Sequence, residues 1–125
     1  MRGIHHLYDI YGCSSLIEDE ERLVALIRGS VLAAGATPLG EEVRSYPGHG
    51  VTIIVFAAES HVLLTTWPEY RLAFVDILLC GGRTSPDAAA EQIISALDSK
   101  GGVVRHTVER YISHASKDAP LADGR

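Results

Sequence analysis

A chain of 125 residues with 46% hydrophobic and 22% charged residues has the size and balance of one globular domain, with one core and room for one site. Its formal net charge is -5 and its basic residues are scattered (Arg22, Arg28, Arg44, Arg71, Arg83, Arg105, Arg110), which leaves no electrostatic footprint for a nucleic acid partner. No run of about 20 apolar residues occurs to span a bilayer, and the opening MRGIHHLYDIYG lacks the apolar stretch of an export signal, so no membrane association is expected and the expected location is cytoplasmic.

Residues 4–11 are short, branched and aromatic, and predict a strand ended by Gly12 with Cys13 in the following turn. Ser14 or Ser15 is placed to cap the next element. Acidic residues 18–21 suit its first turn, and Leu23, Leu26, Ile27, Val31 and Leu32 repeat at helical spacing until Gly35. A strand over residues 37–46 leads to Tyr46-Pro47-Gly48-His49-Gly50, a loop of unusual backbone angles and of a kind that often touches ligands. Residues 51–57, 61–66 and 72–79 are three apolar runs of buried-strand length. Ser85 before Pro86 starts a second helix carrying Ala90, Ile93, Ile94 and Leu97 and ending before Gly101, and residues 103–111 alternate as a last strand.

The order β-α-β-β-β-β-α-β predicts an α+β fold, a two-layer α/β sandwich with both helices on one sheet. Residues 1–112 form the single domain and residues 113–125, small and polar, a flexible tail. The second face of so apolar a sheet needs cover, most simply from a second copy of the chain, so a homodimer in a larger α/β/β/α sandwich is expected. Cys13 and Cys80 are far apart in a chain without an export signal and read as free thiols.

Glu59-Ser60-His61 by itself is a polar turn between apolar strands. The longer run is specific: Glu59-Ser60-His61, then Thr66-Trp67-Pro68-Glu69-Tyr70, then Asp76 and Cys80-Gly81-Gly82. It resembles the proenzymes of the prokaryotic S-adenosylmethionine decarboxylases, and the likeness extends from GIHHLYDIYGC through AAGATPL to GGRTSPDAA, over roughly residues 3–111. The resemblance implies self-cleavage between Glu59 and Ser60, with Ser60 converted to a covalent pyruvoyl group that binds the substrate amine as a Schiff base in place of pyridoxal phosphate. It implies that Cys80 reprotonates the substrate carbon, that Glu69 bonds the ribose hydroxyls of a small-molecule, amino-acid-type substrate and that Tyr46 stacks on its adenine. A place in polyamine biosynthesis follows. Trp67 reads as a core anchor at the edge of that binding region.

The chain departs from the family pattern at three positions. Thr65 stands where the family has a histidine that assists processing, and a hydroxyl is no base at neutral pH, so His61 or another nearby group has to cover for it. Thr52 replaces a serine of the strand before the cleavage site and keeps its hydroxyl; Tyr46 replaces a phenylalanine. Decarboxylation of arginine or ornithine, which divergent family members carry out, stays open as the reaction. So do an unprocessed regulatory paralogue, for which Thr65 speaks, and a plain ligand-binding module. No metal is expected, because His5, His6, His49, His106 and His114 lack metal-site spacing and adjacent strand positions such as His5 and His6 point opposite ways. A plain ladder through Trp67-Pro68-Glu69-Tyr70 is expected to leave Ser60 and Cys80 several residues out of register.

Overall fold

The computed structural model describes residues 2–111, so the expected tail at 113–125 lies outside the described residues. Six strands, β1 (Arg2–Tyr11), β2 (Gly40–Ser45), β3 (Val51–Ala57), β4 (Ser60–Trp67), β5 (Leu72–Leu78) and β6 (Gly102–Tyr111), form one sheet in the order β2-β3-β4-β5-β1-β6. Every neighbouring pair is antiparallel. The meander β2 to β5 is a run of short connections, and β1 enters beside β5 because the first helix carries the chain from β1 across to the far edge. The result is the expected α+β two-layer sandwich. Among the described residues no helix is long and apolar enough to cross a membrane.

Helix α1 (Glu20–Ala33) starts later than a cap at Ser14 or Ser15 suggests. Ser14 caps a separate 3-10 turn, Ser15–Glu18, and Asp19 caps α1 by accepting from the Arg22 amide at 3.2 Å. Helix α2 (Pro86–Leu97) begins as its sequence predicts: the Ser85 hydroxyl accepts from the Ala88 amide at 3.2 Å, and Pro86 takes the position whose missing N–H costs nothing. Both helices lay their apolar stripes, Leu23, Ile27, Val31, Ile93 and Leu97, on the sheet face formed by Ile10, Ile53, Val55, Leu64 and Ile77. Period-two alternation thus sends half of each central strand into one dry core.

Two strands differ from expectation. β2 begins at Gly40 because Pro38 has no amide to donate, and the Leu39 amide makes the first bond across to the Phe56 carbonyl at 2.7 Å. In β6, residues 102–110 are exposed on both faces, since the strand pairs only with β1 and overhangs the helices. Where β1 meets the start of β6 the backbones nearly touch. A Cβ on Gly12 (φ +68) would sit 2.5 Å from the Gly101 nitrogen, so only glycine fits that turn.

The opposite sheet face carries Leu7, Ile54, Leu63 and Leu78, half-buried, and Phe56, Trp67 and Phe74, each about 40% exposed (42%, 40% and 39%). These large apolar side chains, set among the polar His5, His61, Asp76 and Thr65 of the same face, are the kind of exposed surface that suits an interaction with another molecule.

On the helix side, His6 is buried and its Nδ1 lies 3.1 Å from the Arg105 guanidinium. Burial holds its pKa below the usual 6.5, Arg105 lowers it further, Asp87 opposes, and His5 adds to the depression. The unfolded chain takes up a proton at 6.5 that folded His6 refuses until lower pH. Its contribution to stability is therefore complete above pH 6.5 and is lost as pH falls towards the folded value. Urea unfolding of His6→Gln is expected to show a shallower fall in stability below pH 6.5 than the wild type; an unchanged slope would remove this account.

Candidate active site

Strands β3 and β4 are joined by two residues, Ala58 and Glu59, with Ala57 paired to Ser60. Glu59 is held at φ 57, the left-handed region, which costs a side-chain-bearing residue roughly 1–2 kcal/mol. The strain sits on the residue whose carbonyl precedes Ser60. Ser60 itself is 8% exposed, and its Oγ accepts a hydrogen bond from the backbone amide of Cys80 at 2.8 Å.

That contact corrects the expected register. The turn Pro68–Tyr70 lets Trp67 pair directly with Leu72, so His61 falls opposite Leu78 and Ser60 meets the chain just as β5 ends. Cys80 follows at once. Ser60 and Cys80 line one side of a cavity of about 220 Å³ with Ala57, Thr37, Leu39 and Thr84. Cys80 is partly exposed, whereas Cys13 is fully buried with its thiol donating to the Ile10 carbonyl at 3.3 Å, and burial pushes the Cys13 pKa up.

A second group lies at the other end of the same strands. Tyr46, Thr52, Thr65, Trp67 and Glu69 line a cavity of about 300 Å³. The Tyr46 hydroxyl donates to Thr52 Oγ1 at 3.0 Å and Thr52 shares a hydrogen bond of 3.1 Å with Thr65, so the loop ring is tied to two strands through a chain of hydroxyls. Glu69 is exposed on the 3-10 turn Pro68–Tyr70, and Trp67 packs edge-on against Phe74 with ring centroids 6.0 Å apart. Thr65 is five residues along β4 from Ser60, about 17 Å away at the rise of a strand.

His61 alternates with Ser60 and so turns to the uncovered face, where its Nε2 lies 3.3 Å from Asp76 Oδ1. His5 Nε2 bonds the same oxygen, and the two imidazoles stand edge to face with centroids 5.8 Å apart. Nothing in the sequence marks His5 or Asp76 as a partner of His61. The available signal was an aspartate at the centre of an apolar strand, but the partners lie on two other strands and depend on register.

The chain has relatives among known proteins. The family model described as S-adenosylmethionine decarboxylase matches residues 4–111. A Pyrobaculum aerophilum protein named S-adenosylmethionine decarboxylase proenzyme is 40% identical over 102 residues, 78% of this chain and 80% of its own. A Hydrogenobaculum protein of the same name is 34% identical over 116 residues, 92% and 86% of the two chains. Among solved structures, that of the adenosylmethionine decarboxylase of Aquifex aeolicus superposes with a TM-score of 0.77 at 32% identity, covering 90% of this chain and 93% of the other.

The contrast between the thiols is testable by peptide mapping after brief alkylation of the native protein. Cys80 is expected to be modified first and Cys13 only after denaturation; equal labelling of both would contradict the burial described.

Proposed function

The chain belongs to the S-adenosylmethionine decarboxylase family, whose members are pyruvoyl-dependent carboxy-lyases, and from that membership we propose that it is a self-processing proenzyme that decarboxylates S-adenosylmethionine. The observation that carries the proposal is the amide of Cys80 directed at Ser60 Oγ beside the strained Glu59. A donor in that place stabilises negative charge on the oxygen as it loses its proton. Ser60 Oγ attacks the Glu59 carbonyl carbon, the peptide C–N bond breaks and an ester forms. Loss of the Ser60 α-proton then expels the Glu59 carboxylate, and water releases ammonia from the new terminus. Left-handed strain at Glu59 is relieved by the cut, which favours the step. Thr65, bonded to Thr52, does not fill the base role, and the His61 imidazole, although next to Ser60 in the chain, turns to the opposite face of the sheet and bonds Asp76, so another nearby group takes the α-proton.

The residues at the turn fit the group they would become. Ser60 is shielded, and its oxygen is held 2.8 Å from an amide beside an open cavity. Once formed, the pyruvoyl group supplies a ketone for the substrate amine and an electron sink for the bond to carbon dioxide, without pyridoxal phosphate. Cys80 lines the same cavity as Ser60, which supports a role for its thiol in returning a proton to the substrate carbon. At the other end, the Tyr46 ring suits a purine face and the Glu69 carboxylate a vicinal diol, which favours S-adenosylmethionine over arginine or ornithine.

One protomer does not place both ends on one substrate. Six bonds separate the amine of S-adenosylmethionine from its ribose ring, at most about 9 Å, while Thr65 and the pocket beyond it lie about 17 Å or more from Ser60. We infer that a homodimer packed about a two-fold axis through the uncovered faces brings the Glu69 end of one sheet next to the Ser60 and Cys80 end of the other, so that each site draws on both subunits. Two free thiols and an interface of this kind accord with the cytoplasm as the working compartment.

Two measurements test the proposal. Intact-mass analysis of the purified protein should give fragments 1–59 and 60–125, the larger starting at a converted Ser60, and the material should release carbon dioxide from S-adenosylmethionine, whereas Ser60→Ala stays at 13.5 kDa and is inactive. A single intact band from the wild type would favour the regulatory paralogue, and release from arginine or ornithine alone would replace the substrate. Co-expression of Cys80→Ala with Glu69→Ala chains should recover about one quarter of wild-type activity, since half the dimers are mixed and each has one complete site. Mixed preparations no better than either variant alone would refute the shared site.

A further inference from the structure

On the uncovered sheet face, three ligand-type side chains from three adjacent strands meet. His5 on β1 and His61 on β4 both lie opposite Leu78 of β5, and Asp76 sits two residues back on the same face, between them. His5 Nε2, His61 Nε2 and one Asp76 oxygen all lie within 4.8 Å of one another. We propose that these three residues bind a single divalent transition ion of the zinc class. This proposal does not depend on the decarboxylase reading.

A zinc ion bonds imidazole nitrogen at about 2.0–2.1 Å and carboxylate oxygen at about 2.0–2.2 Å, which sets tetrahedral ligand atoms roughly 3.3–3.5 Å apart. His61 and Asp76 are already at 3.3 Å, whereas the close contact of His5 with Asp76 has to open and the two imidazoles have to settle to the same spacing around the ion. Small rotations about the imidazole torsions supply that. Two nitrogens and one oxygen make a borderline set that selects zinc, cobalt, nickel or iron and leaves calcium and magnesium, which want oxygens, poorly served. In a single protomer the side chains are 17%, 30% and 27% exposed for His5, His61 and Asp76, so bulk water competes weakly there, and an ion enters before the face is covered. All three backbones belong to the hydrogen-bonded centre of the sheet, which holds the set with little entropy left to lose. The fourth position points away from the sheet, towards whatever covers that face. The pair His106 and Asp9, at 3.6 Å, offers only two ligands and serves as an internal control.

The same three groups, with no ion, form a carboxylate bonded by two imidazoles, and the experiment separates the two. Untagged, chelator-treated protein is titrated with Zn²⁺ against a chromophoric competitor and with Co²⁺ while the visible spectrum is followed. The expected result is one ion per chain at micromolar affinity or tighter, with the visible bands of low-coordinate Co²⁺. His5→Gln and Asp76→Asn should each weaken binding by more than the roughly 10–100-fold that loss of a mere supporting partner costs, while His106→Gln changes nothing. Circular dichroism of each variant guards against misfolding, and the Co²⁺ spectrum of the wild type stands without any variant. Absence of the bands together with only millimolar Zn²⁺ binding, or wild-type affinity in folded His5→Gln and Asp76→Asn, would overturn the site.

Discussion

The hydrogen bond from the Cys80 amide to Ser60 Oγ is the contact on which the rest of the site depends. It ties the first residue of β4 to the residue leaving β5, so two strand ends that would otherwise fray are held together. The hydroxyl it fixes is shielded from water on the side of the core, while the carbonyl before it belongs to a residue in a conformation that few L-amino acids adopt. A buried hydroxyl bonding a backbone amide is ordinary in a protein core. One that follows a left-handed glutamate in a two-residue connection is a constrained geometry, because the sheet on both sides limits how far the turn can relax.

The sheet also divides its chemistry along its length. Hydroxyls, an aromatic ring and a carboxylate collect where β2, β3 and β4 meet the Pro68–Tyr70 turn, and the serine and thiol collect where β4 begins and β5 ends. Strands are stiff rods, and the distance between the two groups is set by residue count alone. In the proposed homodimer a second molecule shortens it, meeting the first through the face that carries Phe56, Trp67 and Phe74, where burying apolar surface is favourable.

Much of this was legible in the chain. The run Val51–Ala57 is a strand because branched residues fill it, and Ser85-Pro86 starts a helix because both residues suit a first turn. The site residues were visible through a resemblance in their pattern. Their grouping was less so. Adjacency of Ser60 and Cys80 hinges on Trp67 pairing with Leu72, that is, on how many residues one turn consumes. The junction of His5, His61 and Asp76 requires the order β4-β5-β1, which no local signal encodes because β1 arrives there by a long crossover. Alternation in β6 looked half-buried, yet an edge strand beyond the reach of the helices buries neither side.

The strand order has one more consequence. A break between Glu59 and Ser60 puts β1, β2 and β3 in one polypeptide and β4, β5 and β6 in the other, and across the sheet these alternate as β2-β3, β4-β5, β1, β6. The two pieces are interleaved at three ladders, and each carries one of the two packed helices. They cannot drift apart as halves of a clasp would, since separation means dismantling the core. Once dismantled, two such pieces would have to find each other again by diffusion, so a molecule cut there would persist through slow unfolding, with no intact chain to guide its return.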